Sequence, residues 1–213
     1  MPADESRETL PASTGGISKG LRKMRIILVA TEKPLLKAWE DHCGRFESVE
    51  LFHGGILEAG ADAAVCPLLA DCHLDRGIGL HFKSVLGGEL ENRIQDIVRC
   101  RHGGRLGVGC AEIVSSGWNR MPYVIASVLA ESPAILKGTT NPYLCATGAL
   151  RLIRDGFFHA KDGAERKISE VVSSIAIPGL GTGGYKVPPQ QCAMQVAAAI
   201  SKIFPDLKGQ GNP

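Results

Sequence analysis

The residues best suited to chemistry lie near the C-terminus, in the segment Gly179-Leu-Gly-Thr-Gly-Gly-Tyr185. A β-branched run at 171–177 precedes it, and a helical pattern begins near Pro189. Because glycine has no Cβ atom, such a loop can reach positive φ angles and bring its N–H groups close to a ligand. The N-terminus of the following helix is expected to add positive potential. The pattern therefore predicts an anion site, most often for phosphate, with a ligand-free strand-to-helix turn as the alternative.

The same loop fits the spacing G-x-G-x-x-G at Gly179, Gly181 and Gly184. A dinucleotide-binding fingerprint would also need a following strand and an acidic residue about 20 positions on. Here one Ala-rich helix follows, and Asp206 lies in a polar tail. The loop is therefore predicted to belong to the last strand-loop-helix unit of a different α/β fold.

A second group of reactive side chains lies in the segment 67–79, which we predict to be an irregular loop. Asp71, His73 and Asp75 are candidates for a general base that would activate water in a hydrolase. Cys66, Cys72 and His73 could in principle bind a metal, but their spacing matches no zinc pattern. A solvated loop is the simpler explanation of this segment. We expect neither a bound metal nor a cofactor.

The composition limits the classes of function. With 213 residues, of which 44% are hydrophobic, the chain can form one domain with a substantial core. A net charge of +2 and 5% aromatic residues do not favour nucleic-acid binding. The seven cysteines are odd in number and form no CxxC pair, which indicates free thiols in a reducing cytoplasm. No apolar stretch reaches the roughly 18 residues of a membrane span. We therefore predict a cytoplasmic protein that binds neither nucleic acid nor membrane.

Strand and helix patterns alternate along the chain. A helix capped by Thr31 and ended by Gly44 follows the first strand, and one long helix with Leu86, Leu90, Ile94 and Ile97 on one face ends at Gly103-Gly104. Further helices are predicted from Asn141, as the cap, to Gly156 and from Pro189 onwards. The predicted strands cover residues 24–30, 49–52, 63–66, 105–114, 123–129 and 171–177. This order predicts an α/β fold, a three-layer α/β/α sandwich with a mixed central sheet. We assign residues 1–22 to a flexible leader, 23–205 to the domain and 206–213 to a flexible tail.

Three blocks of the sequence resemble the macro domain family. The first is Val49-Glu-Leu-Phe-His-Gly-Gly-Ile56 followed by Ala61-Asp-Ala-Ala-Val-Cys-Pro67. The second is Leu74-Asp-Arg-Gly-Ile-Gly-Leu80, which is similar to the family's glycine-rich loop after the third strand. The third and most specific, Ser174-Ile-Ala-Ile-Pro-Gly-Leu-Gly-Thr-Gly-Gly-Tyr-Lys-Val-Pro188, is similar to "SIAFPxxSTGxYGxP". The chain looks closest to a divergent bacterial and phage-like branch of the family.

The resemblance implies a protein that binds ADP-ribose or a related nucleotide diphosphate. In the family, two glycine loops clamp the diphosphate and the distal ribose. Carried over to this sequence, the implied ligand-binding residues are Gly55, Ile56, Gly77, Ile78, Gly79, Gly179, Leu180, Gly181, Thr182, Gly183, Gly184 and Tyr185.

Three positions depart from the family pattern and imply a degenerate pocket. The adenine-binding Asp of the family falls at Gly55, its ribose-contacting Asn at Leu69, and one clamp glycine at Arg76, which could pair with a phosphate. These departures leave two alternatives to ligand binding. One is a non-enzymatic structural or assembly protein with a protein partner, which keeps the fold without the ligand. The other is an ADP-ribosyl hydrolase.

Overall fold

The computed structural model describes residues 24–159 and 165–207. Its strands are β1 (Arg25–Ala30), β2 (Val49–His53), β3 (Ala63–Leu69), β4 (Ala111–Ser115), β5 (Tyr123–Ala130), β6 (Phe157–His159), β7 (Glu165–Lys167) and β8 (Ser174–Ile177). Its helices are α1 (Lys33–Cys43), α2 (Gly77–Leu86), α3 (Glu89–His102), α4 (Asn141–Asp155), α5 (Ile168–Val171) and α6 (Pro189–Ile203). Short 3-10 turns cover Ile56–Glu58 and Pro205–Leu207.

Six strands form the central sheet in the order β2-β1-β8-β3-β5-β4. All neighbours in this sheet are parallel except β4 and β5, which pair antiparallel with Ile113 opposite Ile125. The remaining strands, β6 and β7, pair antiparallel in a separate two-stranded sheet. A parallel sheet needs cover on both faces, which explains why β1 is apolar without alternation.

Helices cover both faces of the central sheet. On β1, Ile26 and Leu28 pack into the core formed with α1, α4 and α6. Ile27 and Val29 point the other way and pack with α2 and α3. The predicted three-layer α/β/α sandwich with a mixed sheet is therefore confirmed.

The predicted long helix before Gly103 is wrong, because two helices occupy that segment. Gly87 has a φ of 86°, a left-handed conformation that stops α2 at Leu86, and α3 begins at Glu89. The strand predicted at 105–114 is also too long. Gly109 has a φ of 80°, and strand β4 begins only at Ala111.

Other element ends differ by smaller amounts. Residues 168–171 form α5, so β8 begins at Ser174, and β3 continues to Leu69. Neither predicted cap acts as one: Glu32 occupies the N-cap position of α1, and Asn141 Nδ2 donates to the carbonyl of Leu129 at 2.7 Å.

The predicted leader, residues 1–22, lies outside the described residues, as do residues 208–213 of the predicted tail. Leu207 of that tail is described and is buried beside α6. Among the described residues, no helix is long and apolar enough to cross a membrane.

Candidate functional site

A cavity of about 640 Å³ lies at the carboxyl ends of β8, β3 and β5. This is the edge where ligands usually bind in open α/β sheets, because the loops that follow parallel strands converge there. The lining comes from the ends of β3 and β5, the start of α2, the β5–α4 loop and the loop after β8. Its residues are Pro67, Leu68, Leu69, His73, Arg76, Gly77, Ile78, Leu129, Pro133, Ala134, Ile135, Gly179, Gly181, Gly183, Gly184 and Tyr185.

The loop after β8, which we call the glycine loop (residues 178–188), has a tightly folded backbone. Gly181 has a φ of 76°, and its carbonyl accepts a 3.0 Å hydrogen bond from the N–H of Val187. A Cβ atom on Gly179 would overlap Thr182 Oγ1 and lie 2.6 Å from Leu35 Cδ2, so a larger residue there would have to displace both side chains. Gly183 and Gly184 instead face open space, since a Cβ on either would meet nothing within 4 Å.

Consecutive backbone donors of the glycine loop remain unpaired. Within the described residues, the N–H groups from Gly181 to Tyr185 donate no hydrogen bond to the protein. The neighbouring Leu180 N–H donates to Cys192 Sγ at 3.2 Å, and the Leu180 side chain is fully buried in the core. Leu180 therefore anchors the loop to the core, and the N–H groups from Gly181 to Tyr185 remain available to an anion.

The helix whose N-terminus reaches the cavity is α2. Arg76, Gly77 and Ile78 line the cavity, and the first intrahelical bond runs from the N–H of Leu80 to the carbonyl of Arg76 at 3.2 Å. The amides of the first turn of α2 therefore have no intrahelical partner, and the helix dipole adds positive potential there.

The prediction that α6 supplies this positive end is wrong, because no residue of α6 lines the cavity. Residues 188 and 189 at its start are prolines without N–H groups, and Gln190 lies beside α1, with its Oε1 2.7 Å from His42 Nε2.

Of the three predicted catalytic candidates, only His73 lines the cavity. Its Nδ1 lies 3.0 Å from Glu91 Oε1. Asp71 Oδ1 accepts the N–H of His73 at 3.3 Å, which is a local turn contact. Asp75 pairs with Arg76 through two 2.7 Å hydrogen bonds, which hold the pKa of the Asp75 carboxyl below its ordinary value. Asp71 and Asp75 are thus already occupied by neighbouring residues.

Glu91, on α3, holds the segment before α2 (residues 71–76) in place through hydrogen bonds. Its carboxylate accepts hydrogen bonds from the N–H of Leu74 at 3.2 Å and from the ammonium of Lys83, besides its contact with His73. Burial raises the pKa of Glu91, but these hydrogen bonds outweigh burial and leave the pKa below its ordinary value. The carboxylate therefore stays ionised near neutral pH and fixes one side of the cavity.

Five of the predicted ligand-binding residues do not line the cavity: Gly55, Ile56, Gly79, Leu180 and Thr182. The N–H of Gly55 donates to Glu58 at 3.0 Å, Ile56 is buried in the core, and Gly79 packs against Leu68 and Leu74. The other seven, Gly77, Ile78, Gly179, Gly181, Gly183, Gly184 and Tyr185, border the cavity together. Their role in binding stays a prediction.

Much of the apolar lining was not predicted from the sequence, namely Pro67, Leu68, Leu129, Pro133, Ala134 and Ile135. One available signal was the Ser-Pro-Ala-Ile segment directly after the β5 pattern, since carboxyl ends of parallel strands share an edge.

No three His, Cys, Asp or Glu side chains of the described residues are placed to hold a metal ion. Cys72 is fully buried, and burial raises the pKa of its thiol to about 12. The thiol is therefore protonated near neutral pH and is a poor nucleophile.

Comparison with known proteins gives a family and a shared fold. No curated protein sequence matches the chain. The model of the Macro domain family matches residues 63–197.

The macrodomain of Mycobacterium tuberculosis DarG is similar in structure, with a TM-score of 0.53 and 18% identity over 70% of this chain and 88% of that one. A mutant of the Oceanobacillus iheyensis macrodomain has a TM-score of 0.59 and 17% identity over 90% of this chain and 83% of that one. A further mutant of it, solved with ADPR, has a TM-score of 0.56 and 17% identity over 86% of this chain and 80% of that one. The family match covers more than half of the sequence, and the chain belongs to the Macro domain family.

Proposed function

We propose that the protein binds ADP-ribose or a related nucleoside diphosphate in this cavity. The observation that carries the proposal is the convergence of two sets of unpaired backbone donors on one cavity. One set lies in the glycine loop, at Gly181, Gly183, Gly184 and Tyr185, and the other is the first turn of α2. Two such sets suit the two phosphate groups of a diphosphate.

The related structures support the same ligand class. Structures of the Oceanobacillus iheyensis macrodomain include one with ADP and one with ADPR. By analogy, Gly77 and Ile78, which line the cavity, would contact the diphosphate, whereas Gly55 and Ile56 would lie towards the base of the nucleotide, outside the cavity lining, and Gly79 would support the first turn of α2 from behind. All seven cysteines are free thiols, and we propose the reducing cytoplasm as the location.

Calorimetric titration with ADP, ADP-ribose and AMP tests the proposal. We expect ADP and ADP-ribose to bind, and AMP to bind at least tenfold more weakly, because its single phosphate can engage only one donor set at a time. If AMP binds as tightly as ADP, the two-set geometry is not what recognises the ligand.

The variant Gly183→Val makes the test specific. A side chain there would project into open space, so the fold should survive while the cavity entrance is filled. The matched control is Gly107→Val, where a Cβ would meet only Cys110 Sγ at 3.9 Å and which does not line the cavity. Nucleotide binding by a folded Gly183→Val protein at the parent's affinity would show that the loop is a structural turn. A structural or assembly role would then replace the binding function.

A second candidate function, hydrolysis of an ADP-ribosyl bond, is favoured by His73. Its Nδ1 contacts the partly buried Glu91 carboxylate, and His73 itself lines the cavity. A carboxylate-held imidazole is a common general base. Release of ADP-ribose from an ADP-ribosylated peptide, lost in His73→Gln, would support this candidate; no release by the parent protein would remove it.

A further inference from the structure

Arg76 brings a permanent positive charge to the cavity. Among the described residues that line the cavity, only His73 and Tyr185 also carry polar side-chain atoms, and no Asp, Glu, Asn, Gln, Ser or Thr belongs to the lining. A guanidinium group donates hydrogen bonds and cannot accept them. The polar side chains of the lining therefore suit a phosphate oxygen better than a sugar hydroxyl that needs a carboxylate or amide acceptor.

The Arg76 guanidinium keeps a free donor after its ion pair with Asp75 is formed. Its Nε and Nη2 donate to the two oxygens of Asp75, each at 2.7 Å. This two-point contact fixes the orientation of the planar group. The remaining nitrogen, Nη1, has no hydrogen-bond partner among the described residues, and the Arg76 side chain is 44% exposed.

Arg154 shows what a structural arginine does in the same geometry. Its Nε and Nη2 also donate to the two oxygens of the next residue, Asp155, each at 2.7 Å. In that pair, however, Nη1 donates to the carbonyl of Ile203 at 2.9 Å, so the third nitrogen ties α4 to the end of α6. The fold uses the third nitrogen of Arg154 and leaves that of Arg76 to the cavity.

The guanidinium of Arg76 acts on the glycine loop. Burial raises the pKa of the Tyr185 phenol, and the positive charge of Arg76 opposes this rise. Tyr185 belongs to the same run of unpaired N–H groups as Gly183 and Gly184, and all four residues line the cavity. An anion bound to these amides would therefore also lie within the field of the Arg76 charge.

The charge and the oxygens of a phosphate depend on whether its end is substituted. An unsubstituted terminal phosphate loses its second proton with a pKa of about 6, so it is close to a dianion at neutral pH. A ribose on that phosphate, as in ADP-ribose, replaces one free oxygen and removes the second charge. Hydrogen bonds between two charged groups are the stronger ones, so a free arginine donor favours the dianion.

We propose that Arg76 selects ligands with an unsubstituted terminal phosphate, so that the preferred ligand of the cavity is a nucleoside diphosphate that ends in a free phosphate rather than ADP-ribose. This inference rests on the proposed binding of a diphosphate in the cavity. It narrows the ligand class and assigns the selectivity to one residue.

A ligand series tests the proposal by calorimetry on the full chain near neutral pH. The ligands are ADP, the methyl ester of its β-phosphate, and ADP-ribose. The methyl ester has the charge of ADP-ribose and nearly the size of ADP, so it separates the effect of charge from that of ribose bulk. We expect ADP to bind at least about fivefold more tightly than either substituted compound, since only ADP presents a dianion to Arg76.

The variant Arg76→Gln locates the selectivity. Exposed ion pairs contribute little to stability, so the variant should fold. We expect the preference for ADP over the methyl ester to fall below about twofold, with the affinity for the methyl ester changed less than the affinity for ADP. Because Arg76→Gln leaves the Asp75 charge without its partner, the double variant Arg76→Gln/Asp75→Asn removes both charges and should lose the preference equally.

The control is Arg154→Gln. It removes the same charge from a matching pair whose arginine side chain is 41% exposed and does not line the cavity. The preference for ADP should stay as in the parent. A similar loss of preference in this control would mean that the overall charge of the protein, and not Arg76, selects the ligand.

The outcomes separate this inference from the proposed function. If ADP and ADP-ribose bind but ADP is no tighter, or if the preference survives in Arg76→Gln, the inference is refuted while the nucleotide function stands. Methyl diphosphate and its P1,P2-dimethyl ester repeat the comparison without a nucleoside. If methyl diphosphate binds more tightly than the dimethyl ester and Arg76→Gln removes this difference, but no ADP compound binds, the role of Arg76 stands and the nucleotide function fails. If none of the compounds binds, both are refuted.

Discussion

The backbone N–H of Leu136 donates a 2.8 Å hydrogen bond to the carbonyl of Tyr185. This bond joins the β5–α4 loop to the glycine loop, which are two separate parts of the cavity wall. The Leu136 side chain is buried in the core, so the bond also ties the glycine loop to the sheet. The relative position of the two walls is therefore set before any ligand binds, which lowers the ordering cost of binding.

Because that bond uses only backbone atoms, the Tyr185 side chain can be tested separately. The ring is half-buried at the cavity, and burial raises the pKa of the phenol, so its hydroxyl is neutral near pH 7. We expect Tyr185→Phe to bind ADP within twofold of the parent. Tyr185→Ala should lose about tenfold through the missing aromatic packing. Calorimetry on both variants checks this, and a large loss in the Phe variant would show that the hydroxyl contacts the ligand.

Replacing Gly181 with alanine should lower the free energy of unfolding more than replacing Gly183 with alanine. Gly181 has a φ of 76°, and a Cβ there would lie 2.9 Å from Val187 Cγ2. Gly181→Ala should therefore lower the free energy of unfolding by about 1–2 kcal/mol from backbone strain alone, and the close contact adds to this. Gly183→Ala meets no atom within 4 Å and should change stability by less than about 0.5 kcal/mol. Urea denaturation measures both, and equal losses would contradict the assignment.

Asp62 should control part of the stability at low pH. One oxygen of its carboxylate, at the start of β3, accepts bonds from the N–H and the hydroxyl of Ser173, both at 2.8 Å, and from the N–H of Ser174 at 2.9 Å. Burial raises the pKa of Asp62, but these hydrogen bonds outweigh burial and lower it below 3.8. The unfolded chain therefore binds the proton more readily. The stabilisation is complete above the unfolded pKa of about 3.9 and is lost as the pH falls through the folded pKa.

The variant Asp62→Asn tests this pH dependence. At pH 7 it should be less stable than the parent by about 2 kcal/mol, the scale of hydrogen bonds to a charged group. The difference should shrink as the pH falls below about 4, where the Asp62 carboxyl of the unfolded chain becomes protonated while that of the folded protein still resists protonation. The control is Asp206→Asn, at an exposed position. A stability difference that is constant from pH 7 to pH 3 would rule out the charge as its source.

Local patterns in the sequence predicted the fold well where one residue type decides the structure. The apolar run within 24–30 predicted a strand there, which is β1, and Gly44 and Gly156 end α1 and α4 as expected. The break between α2 and α3 was missed because Leu86, Leu90 and Ile94 keep helical spacing across it. Periodicity cannot show that Gly87 adopts a left-handed φ.

The residues of the candidate site were likewise predicted from the sequence only in part. The glycine loop is a contiguous motif, so its residues could be found from sequence alone. Pro133 and Ile135 reach the cavity only because β5 pairs with β3, and β3 with β8. That strand order is a non-local property, and neither residue belongs to a motif. For this reason the glycine-loop part of the lining was predicted, whereas Pro133 and Ile135 were not.

Glu91 should contribute most to holding the segment 71–76 in place beside the cavity. It is only 14% exposed and accepts the N–H of Leu74, whose side chain is fully buried. Glu91→Ala should reduce the free energy of unfolding by about 2 kcal/mol, because the partly buried N–H of Leu74 loses a charged acceptor. Glu91→Gln retains an acceptor oxygen and should lose less. The control Glu89→Ala removes an exposed carboxylate from the same first turn of α3 and should cost at most about 1 kcal/mol.

Hydrogen exchange at the Leu74 amide distinguishes local opening of the segment 71–76 from a loss of global stability. In Glu91→Ala we expect this amide to exchange faster than the amides of α3, because the segment opens locally. ADP affinity should fall with it, since His73 and Arg76 belong to the same segment and line the cavity. If Leu74 stays as protected as in the parent, other contacts hold the segment, and Glu91 would act only through its contacts with Lys83 and His73.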